Sequence, residues 1–295
     1  MRISTGQITQ QSIASILQRQ AELAHTQQQV STGKTLLSSA DDPVAAVRIL
    51  DLQREISLAD QYLLNADKAE NKLSVTDGIL DSATNILQRV RELAIQALND
   101  TNSVGARQGI AEEITQLNEA LVGIANTQDA NDEYLFSGYQ SDQQAFDPVT
   151  FAYGGDSGQR QLRVGSGYLV ETNEPGDTIF GNGAGSVFQL IQDFAADISV
   201  EPRGPTGNET FLTNIDTTLD EVLHARTRIG TRLNVIDQQR GINESSKFSQ
   251  QILLSQIEDL DYAEAITLLN LQSVGLEAAQ QSYVRVQGLS LFNFL

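Results

Sequence analysis

The residues with most to offer chemically lie near the middle of the chain. Gly155-Asp156-Ser157-Gly158 reproduces the string around the nucleophile in one class of serine proteases. Such a serine needs a histidine base, itself oriented by a buried aspartate. The chain has 2 histidines, His25 and His224. Both fall in stretches that read as helix, whereas Ser157 sits among turn residues. A surface turn is the expectation; a hydrolase built on Ser157 is the alternative that Ser157→Ala would expose. Gly181-Asn182-Gly183-Ala184-Gly185 has the glycine density of a phosphate loop, but no lysine follows it and no βαβ unit surrounds it. It reads as a flexible loop. Asp129, Asn131, Asp132 and Glu133 offer Ca²⁺-type oxygens without the spacing of a Ca²⁺-binding helix–loop–helix, so they read as a helix end. With 0 cysteines there is no disulfide framework, thiolate zinc site or thiol nucleophile. The chain is expected to hold no catalytic, cofactor-binding or metal-binding residues.

What must position these residues is a charged body between two neutral ends. The full balance is 19 basic to 38 acidic residues, a net charge of −19. That has the wrong sign for nucleic acid or an anionic membrane surface. From Met1 to Ala40, however, only Arg2, Arg19, Glu22 and Lys34 are charged, and from Ala265 to Leu295 only Glu277 and Arg285. Both ends carry apolar residues at helical spacing among Gln, Ser and Ala. A helix facing solvent normally places charge on its outer side; these suit burial among other chains. No apolar run is long enough to span a membrane, and the first residues lack the apolar core of a cleaved secretory signal. The protein is expected either to stay in the cytoplasm or to leave by a route that needs no such signal.

Prolines divide the chain. They stand at 43, 148, 175, 202 and 205, leaving Val44–Asp147 and Thr206–Leu295 free for long helices. One heptad seam runs Tyr62, Ala66, Ala69, Leu73, Thr76, Leu80, Ala83, Leu87, Val90, Ala94, Ala97, widened by Ile79, Ile86 and Leu93. A second runs Ile110, Ile114, Leu117, Leu121, Ile124. A third runs Ile215, Leu219, Val222, Arg226, Ile229, Leu233, Ile236, where Arg226 either meets a carboxylate of the opposing helix or lies at a solvated edge. Spacing this regular predicts a coiled-coil-like bundle. Asp41-Asp42-Pro43 starts a helix that should run from about Val44 to Asn99.

The terminal stripes are thinner. Ile13, Ile16, Gln20, Leu23, Gln27, Val30 form one, and Leu253, Ile257, Leu260, Glu264, Thr267, Leu271, Val274, Ala278, Gln281 the other. Isolated helices this polar are marginal in water, so the ends are expected to be disordered in the monomer and to fold on assembly. Between the arms, glycines gather from Gly138 to Gly207. Gln161–Val164 and Tyr168–Glu171 flank Gly165-Ser166-Gly167 as a hairpin. Phe146, Phe151, Tyr153, Ile179, Phe180, Val187, Phe188 and Phe194 could form a small core, with a helix over Val187–Ala196. The expected fold is mainly α: a long antiparallel coiled-coil bundle made from both chain ends, with an inserted β-rich domain. The expected parts are a terminal assembly domain (1–40 and 265–295), a bundle (41–137 and 206–264) and an outer insert (138–205).

Several segments resemble the flagellin superfamily. Val30-Ser31-Thr32-Gly33-Lys34, then Ser38-Ser39-Ala40-Asp41-Asp42-Pro43-Val44-Ala45-Ala46, is similar to its N-terminal signature, as is Leu87–Gln96. Asp259-Leu260-Asp261-Tyr262-Ala263-Glu264-Ala265 is similar to its closing segment. Thr35 and Leu37 depart from the family pattern, where Arg and Asn are frequent, and weaken a basic contact at that turn. Asp-Asp-Pro, Glu133–Gly138 leading into a short insert, and the ending Leu289-Ser290-Leu291-Phe292-Asn293-Phe294-Leu295 resemble the family's hook–filament junction components more than its filament subunits.

The resemblance implies a structural, non-enzymatic flagellar role, with export through the flagellar type III apparatus and no cleaved signal. It also implies a ring of copies at the hook–filament junction, outside the cell, with a hook-side junction protein on one face and flagellin on the other. An export chaperone on the C-terminal arm is a family inference. The terminal helices would lie in the inner tube, the bundle around it and the insert outside. The assembly interface is expected to include Ile13, Ile16, Leu17, Leu23, Val30, Leu268, Leu271, Val274, Leu289, Leu291, Phe292, Phe294 and Leu295. No nucleic acid, membrane insertion or cofactor is expected. The alternatives are a short filament flagellin and a cytoplasmic coiled-coil protein. The sequons at Asn99, Asn208 and Asn243 carry little weight in a bacterial chain exported by this route, and His25 is read as a polar surface or packing residue.

Overall fold

The computed structural model of the chain describes residues 5–99, 102–200 and 208–292. In order these form α1 (Thr5–Thr32), α2 (Pro43–Ala97), α3 (Val104–Ala125), β1 (Gln161–Gly165), β2 (Tyr168–Glu171), α4 (Asp177–Phe180), α5 (Val187–Ile198), α6 (Asn208–Glu258) and α7 (Tyr262–Phe292). They make two compact units: Met1–Leu58 with Ser245–Leu295, and Ala59–Glu244.

The second unit holds the core. The long seam of α2 is buried from Ala66 to Ala97, Leu93 with it, while Ile79 and Ile86 pack at its edge. From the other two seams Ile110, Ile114, Leu121, Ile215, Val222, Ile229 and Ile236 are buried. Arg226 resolves as an ion-paired position: its guanidinium donates to Asp77 (3.0 Å) and Asp81 (2.7 Å) on α2. Arg91–Asp216 and Arg240–Asp67 repeat the pattern. As α2 numbers rise their α6 partners fall, so the helices run antiparallel.

The expected hairpin is present as an antiparallel pair, with an irregularity between Arg163 and Gly165. Amides of both helices hold it: Asn65 Nδ2 donates to the Arg163 carbonyl and Asn243 Nδ2 to that of Val164, both at 2.8 Å. The insert has less β structure than the sequence suggests. Beyond β1–β2 the described residues show only isolated bridges there, such as Phe146 with Tyr153. The glycine-rich loops instead fold over an aromatic core. Phe146 meets Phe188 edge-on at 5.0 Å, Phe136 meets Phe180 at 5.8 Å, and Phe194 stacks on Phe211 of α6 at 3.9 Å. Aromatic burial on this scale replaces the ladder as the organising force. A second anchor is the loop after β2. Glu174, 1% exposed, accepts from Arg228 and from Arg232 one turn further along α6.

In the first unit α1 and α7 pack against each other. Few of their apolar residues are covered; Ala265 is buried, and Thr26 with it. Thr5–Thr32 and Tyr262–Phe292 are helical in this structure.

Candidate assembly surface

The surface starts from how the terminal helices are capped and joined. α1 stops at Thr32, and Gly33 follows it with a φ of +71° that suits glycine and a missing Cβ that leaves room for the Tyr262 hydroxyl. The chain then pairs with the break between α6 and α7. Thr35 N donates to the Glu258 carbonyl (2.8 Å) and Leu260 N to the Gly33 carbonyl (3.0 Å), making Lys34 and Asp259 a bridge pair. The Thr35 hydroxyl donates to the Asp259 carbonyl at 3.0 Å, and Lys34 Nζ bonds Glu258. Thr35, the departure from the family pattern, therefore makes a backbone contact of its own. The Glu258 hydrogen bond and charge hold the Lys34 ammonium above its ordinary pKa.

Aspartates cap each new helix. Asp42 Oδ1 accepts from Val44 N and Ala45 N around Pro43, and Asp261 Oδ1 accepts from Ala263 N and Glu264 N. Asp41 Oδ2 accepts from Leu37 N and Ser38 N, with His25 at 3.5 Å. The Ser38 amide first, then that of Leu37, keep its carboxyl below the ordinary value.

The apolar side chains of this unit stay largely uncovered. Of the sequence-predicted interface, Ile13, Leu17, Leu268, Leu271 (70%) and Val274 (65%) are exposed, and Ile16, Leu23 and Val30 are half-buried. Leu289, Leu291 and Phe292 fall in the last turns of α7 with side chains outside the described set; Phe294 and Leu295 lie outside the described residues. Sequence reasoning missed two stretches. Val44 (80%), Val47 and Leu50 start α2, and Phe248 (64%) and Ile252 lie near the end of α6, beside Leu253 of the C-terminal stripe. The signal was available: Val44, Val47 and Leu50 precede Tyr62, where the intrachain seam begins, so nothing in the bundle pattern covers them.

The chemical candidates resolve as structure. The Ser157 hydroxyl donates to Asp177 Oδ2 at 3.0 Å, and the histidine His25 faces Asp41. In the 181–185 loop the amides of Gly181, Gly183 and Gly185 all donate to backbone carbonyls, leaving those donors unavailable to a phosphate. Asp129 Oδ1 accepts from Asn131 N and Glu133 N as a local turn. Lys72 and Arg160 lie against Asp129 and Glu133, putting cations where Ca²⁺ would have to be. A cavity of about 600 Å³ beside them is lined by these charges together with Lys68, Val75, Leu135 and Leu162. Among the described residues no group of three or more His, Cys, Asp or Glu could hold a metal, and no helix is long and apolar enough to cross a membrane. Asn243, in a sequon, is buried and bonded to β1.

Comparison with known proteins gives this surface a context. Residues 3–141 match the model of the bacterial flagellin N-terminal helical region. The chain is 28% identical to flagellar hook-associated protein 3 of Escherichia coli (strain K12) over 99% of both chains. Polar flagellin F of Vibrio parahaemolyticus is 31% identical, but over 46% of this chain and 35% of its own length. A solved structure of a putative flagellar hook-associated protein from Vibrio parahaemolyticus matches with a TM-score of 0.69 and 27% identity, covering 74% of this chain and 100% of that one. The likeness to hook-associated protein 3 runs end to end, whereas that to polar flagellin F covers less than half of this chain and that to flagellin D of Vibrio cholerae covers 72% of it.

Proposed function

We propose that this protein is a non-enzymatic structural component of the bacterial flagellum that joins hook to filament as a hook-associated junction protein. The observation that carries the reading is the extent of the likeness. Hook-associated protein 3 aligns across the insert as well as the arms, whereas polar flagellin F aligns with less than half of this chain. The physical counterpart is the first unit, where exposed apolar residues run along α1, α7, the start of α2 and the end of α6. Neutral apolar stripes of this kind are buried by neighbouring chains rather than by water.

On this reading the protein forms a ring of copies, with the hook-side junction protein against one face and flagellin against the other. The terminal helices line the inner tube, the bundle surrounds it and the insert faces outward. The protein reaches that place through the flagellar export apparatus without a cleaved signal, and an export chaperone covers the C-terminal arm on the way. The ends are disordered in the free monomer and take up the α1–α7 pair on assembly, because so little of that pair is buried within one chain. The experiment is polymerisation of purified protein in precipitating salt, seeded with flagellar fragments and viewed by negative-stain electron microscopy. Short caps confined to hook ends, or persistent monomer, fit the junction reading. Long filaments would make the chain a filament flagellin instead.

A further inference from the structure

Both helical lines of the first unit break at the same level. α1 stops at Thr32, α6 stops at Glu258 and α7 restarts at Tyr262. Between the breaks lie the Gly33–Thr35 and Glu258–Leu260 segments, stitched by two backbone hydrogen bonds, the Thr35 hydroxyl and the Lys34–Glu258 pair. Beyond the stitch α1 and α7 run antiparallel, and Arg19 lies against Gly275, two positions about equally far along the chain from the bridge. The pair therefore keeps register from its base outward. Little apolar surface inside the pair holds it together, so its order depends on how its base is held.

We propose that this bridge is a clasp that makes α1 and α7 form and release as one unit. Closing it brings the two helix starts together in fixed register and raises the effective concentration of one for the other. Opening it frees both, because each helix leaves the unit through the same bonded segment. Gly33 is the pivot: a residue with a Cβ is strained at its φ and meets the Tyr262 hydroxyl, whose oxygen is 2.7 Å from where that atom would stand.

The test uses the free full-length chain and does not depend on where the protein assembles. A failed clasp and a failed junction reading are therefore separate results. Lys34 and Asp259 form a non-hydrogen-bonded antiparallel pair, in which Cα atoms are about 4.5 Å apart, within disulfide range. The chain has 0 cysteines, so Lys34→Cys with Asp259→Cys introduces a single possible bridge. Hydrogen exchange is compared between oxidised and reduced forms, with α2 amides of the buried seam as the folding control. The clasp predicts ready oxidation and roughly tenfold greater protection in both α1 and α7 together. Failure to oxidise, protection of one helix alone, or no change in either overturns it. Gly33→Ala gives an independent reading in sodium sulfate, which strengthens burial. The clasp predicts roughly tenfold less protection of both ends than in the natural chain, and equal protection would contradict it.

Discussion

Removing Arg232 should cost far more than removing Arg228, although both bond the same carboxylate. Glu174 is 1% exposed and accepts from both arginines; Arg232 is 13% exposed and also bonds Glu171, whereas Arg228 is 44% exposed. Arg232→Met takes away the buried partner and leaves a desolvated carboxylate held by one solvated arginine. Breaking a buried pair costs about 3–5 kcal/mol, and the surviving Arg228 puts this case near 3 kcal/mol. Arg228→Met removes a screened contact and should cost about 1 kcal/mol or less. The assay is urea denaturation followed by circular dichroism. With a slope of about 2–3 kcal/mol per molar, Arg232→Met lowers the midpoint by roughly 1 M and Arg228→Met by a few tenths. Adding Glu174→Met to Arg232→Met should recover much of the loss, because no buried charge is then orphaned. Equal shifts for the two arginines, or a double variant no better than the single, would refute the buried clamp as the anchor of the insert.

Four further outcomes are expected. Asn243→Ala leaves the Val164 carbonyl without its side-chain donor and should cost about 1–3 kcal/mol in the same assay, more than Asn65→Ala at its less buried position. Asp129 and Glu133 are both held below their ordinary 3.8 and 4.5: burial pushes each up, but the Asn131 and Glu133 amides with Lys72 outweigh it for Asp129, and Arg160 with Lys72 for Glu133. Depressed carboxylates stabilise above the unfolded value and lose that as pH falls through the folded one, so the urea midpoint should hold from about pH 7 to 5 and drop below about pH 4, less steeply in Glu133→Gln. Leu271→Asp, at an exposed site, should leave the circular dichroism of the free chain unchanged while abolishing junction formation by secreted protein; junctions at normal frequency would remove Leu271 from the interface. Limited trypsin digestion of the free chain should cut after Arg19 and Arg285 long before the ion-paired Arg226 and Arg240, and resistant ends would contradict disorder in the monomer.

Much of this was legible in the sequence because the bundle closes on itself. A heptad seam is a local pattern, and in α2 its apolar positions from Ala66 to Ala97 are the buried ones. The hairpin at Gln161–Glu171 was equally local, set by a Gly-Ser-Gly turn between apolar runs. What stayed hidden depends on contacts distant in sequence. Nothing near Glu174 announces that Arg228 and Arg232 will bury it, and nothing near Thr35 announces the carbonyl of Asp259. The insert read as β-rich because its glycines suit turns and its aromatic residues suit strands, whereas its phenylalanines pack among themselves and on α6. The exposed apolar surface of the first unit was partly legible because the chemistry of the terminal stripes is unlike that of the acidic body. Val44, Val47 and Leu50 were passed over because they look like the start of the same core helix, although they precede the seam that begins at Tyr62, and their side chains are uncovered.

The most direct test of the junction role is to place the protein on intact flagella by immunogold electron microscopy, using antibody raised against the insert. The account predicts gold in a single narrow band where hook meets filament, with bare filament beyond it. Gold distributed along the filament would contradict it and make the chain a filament subunit.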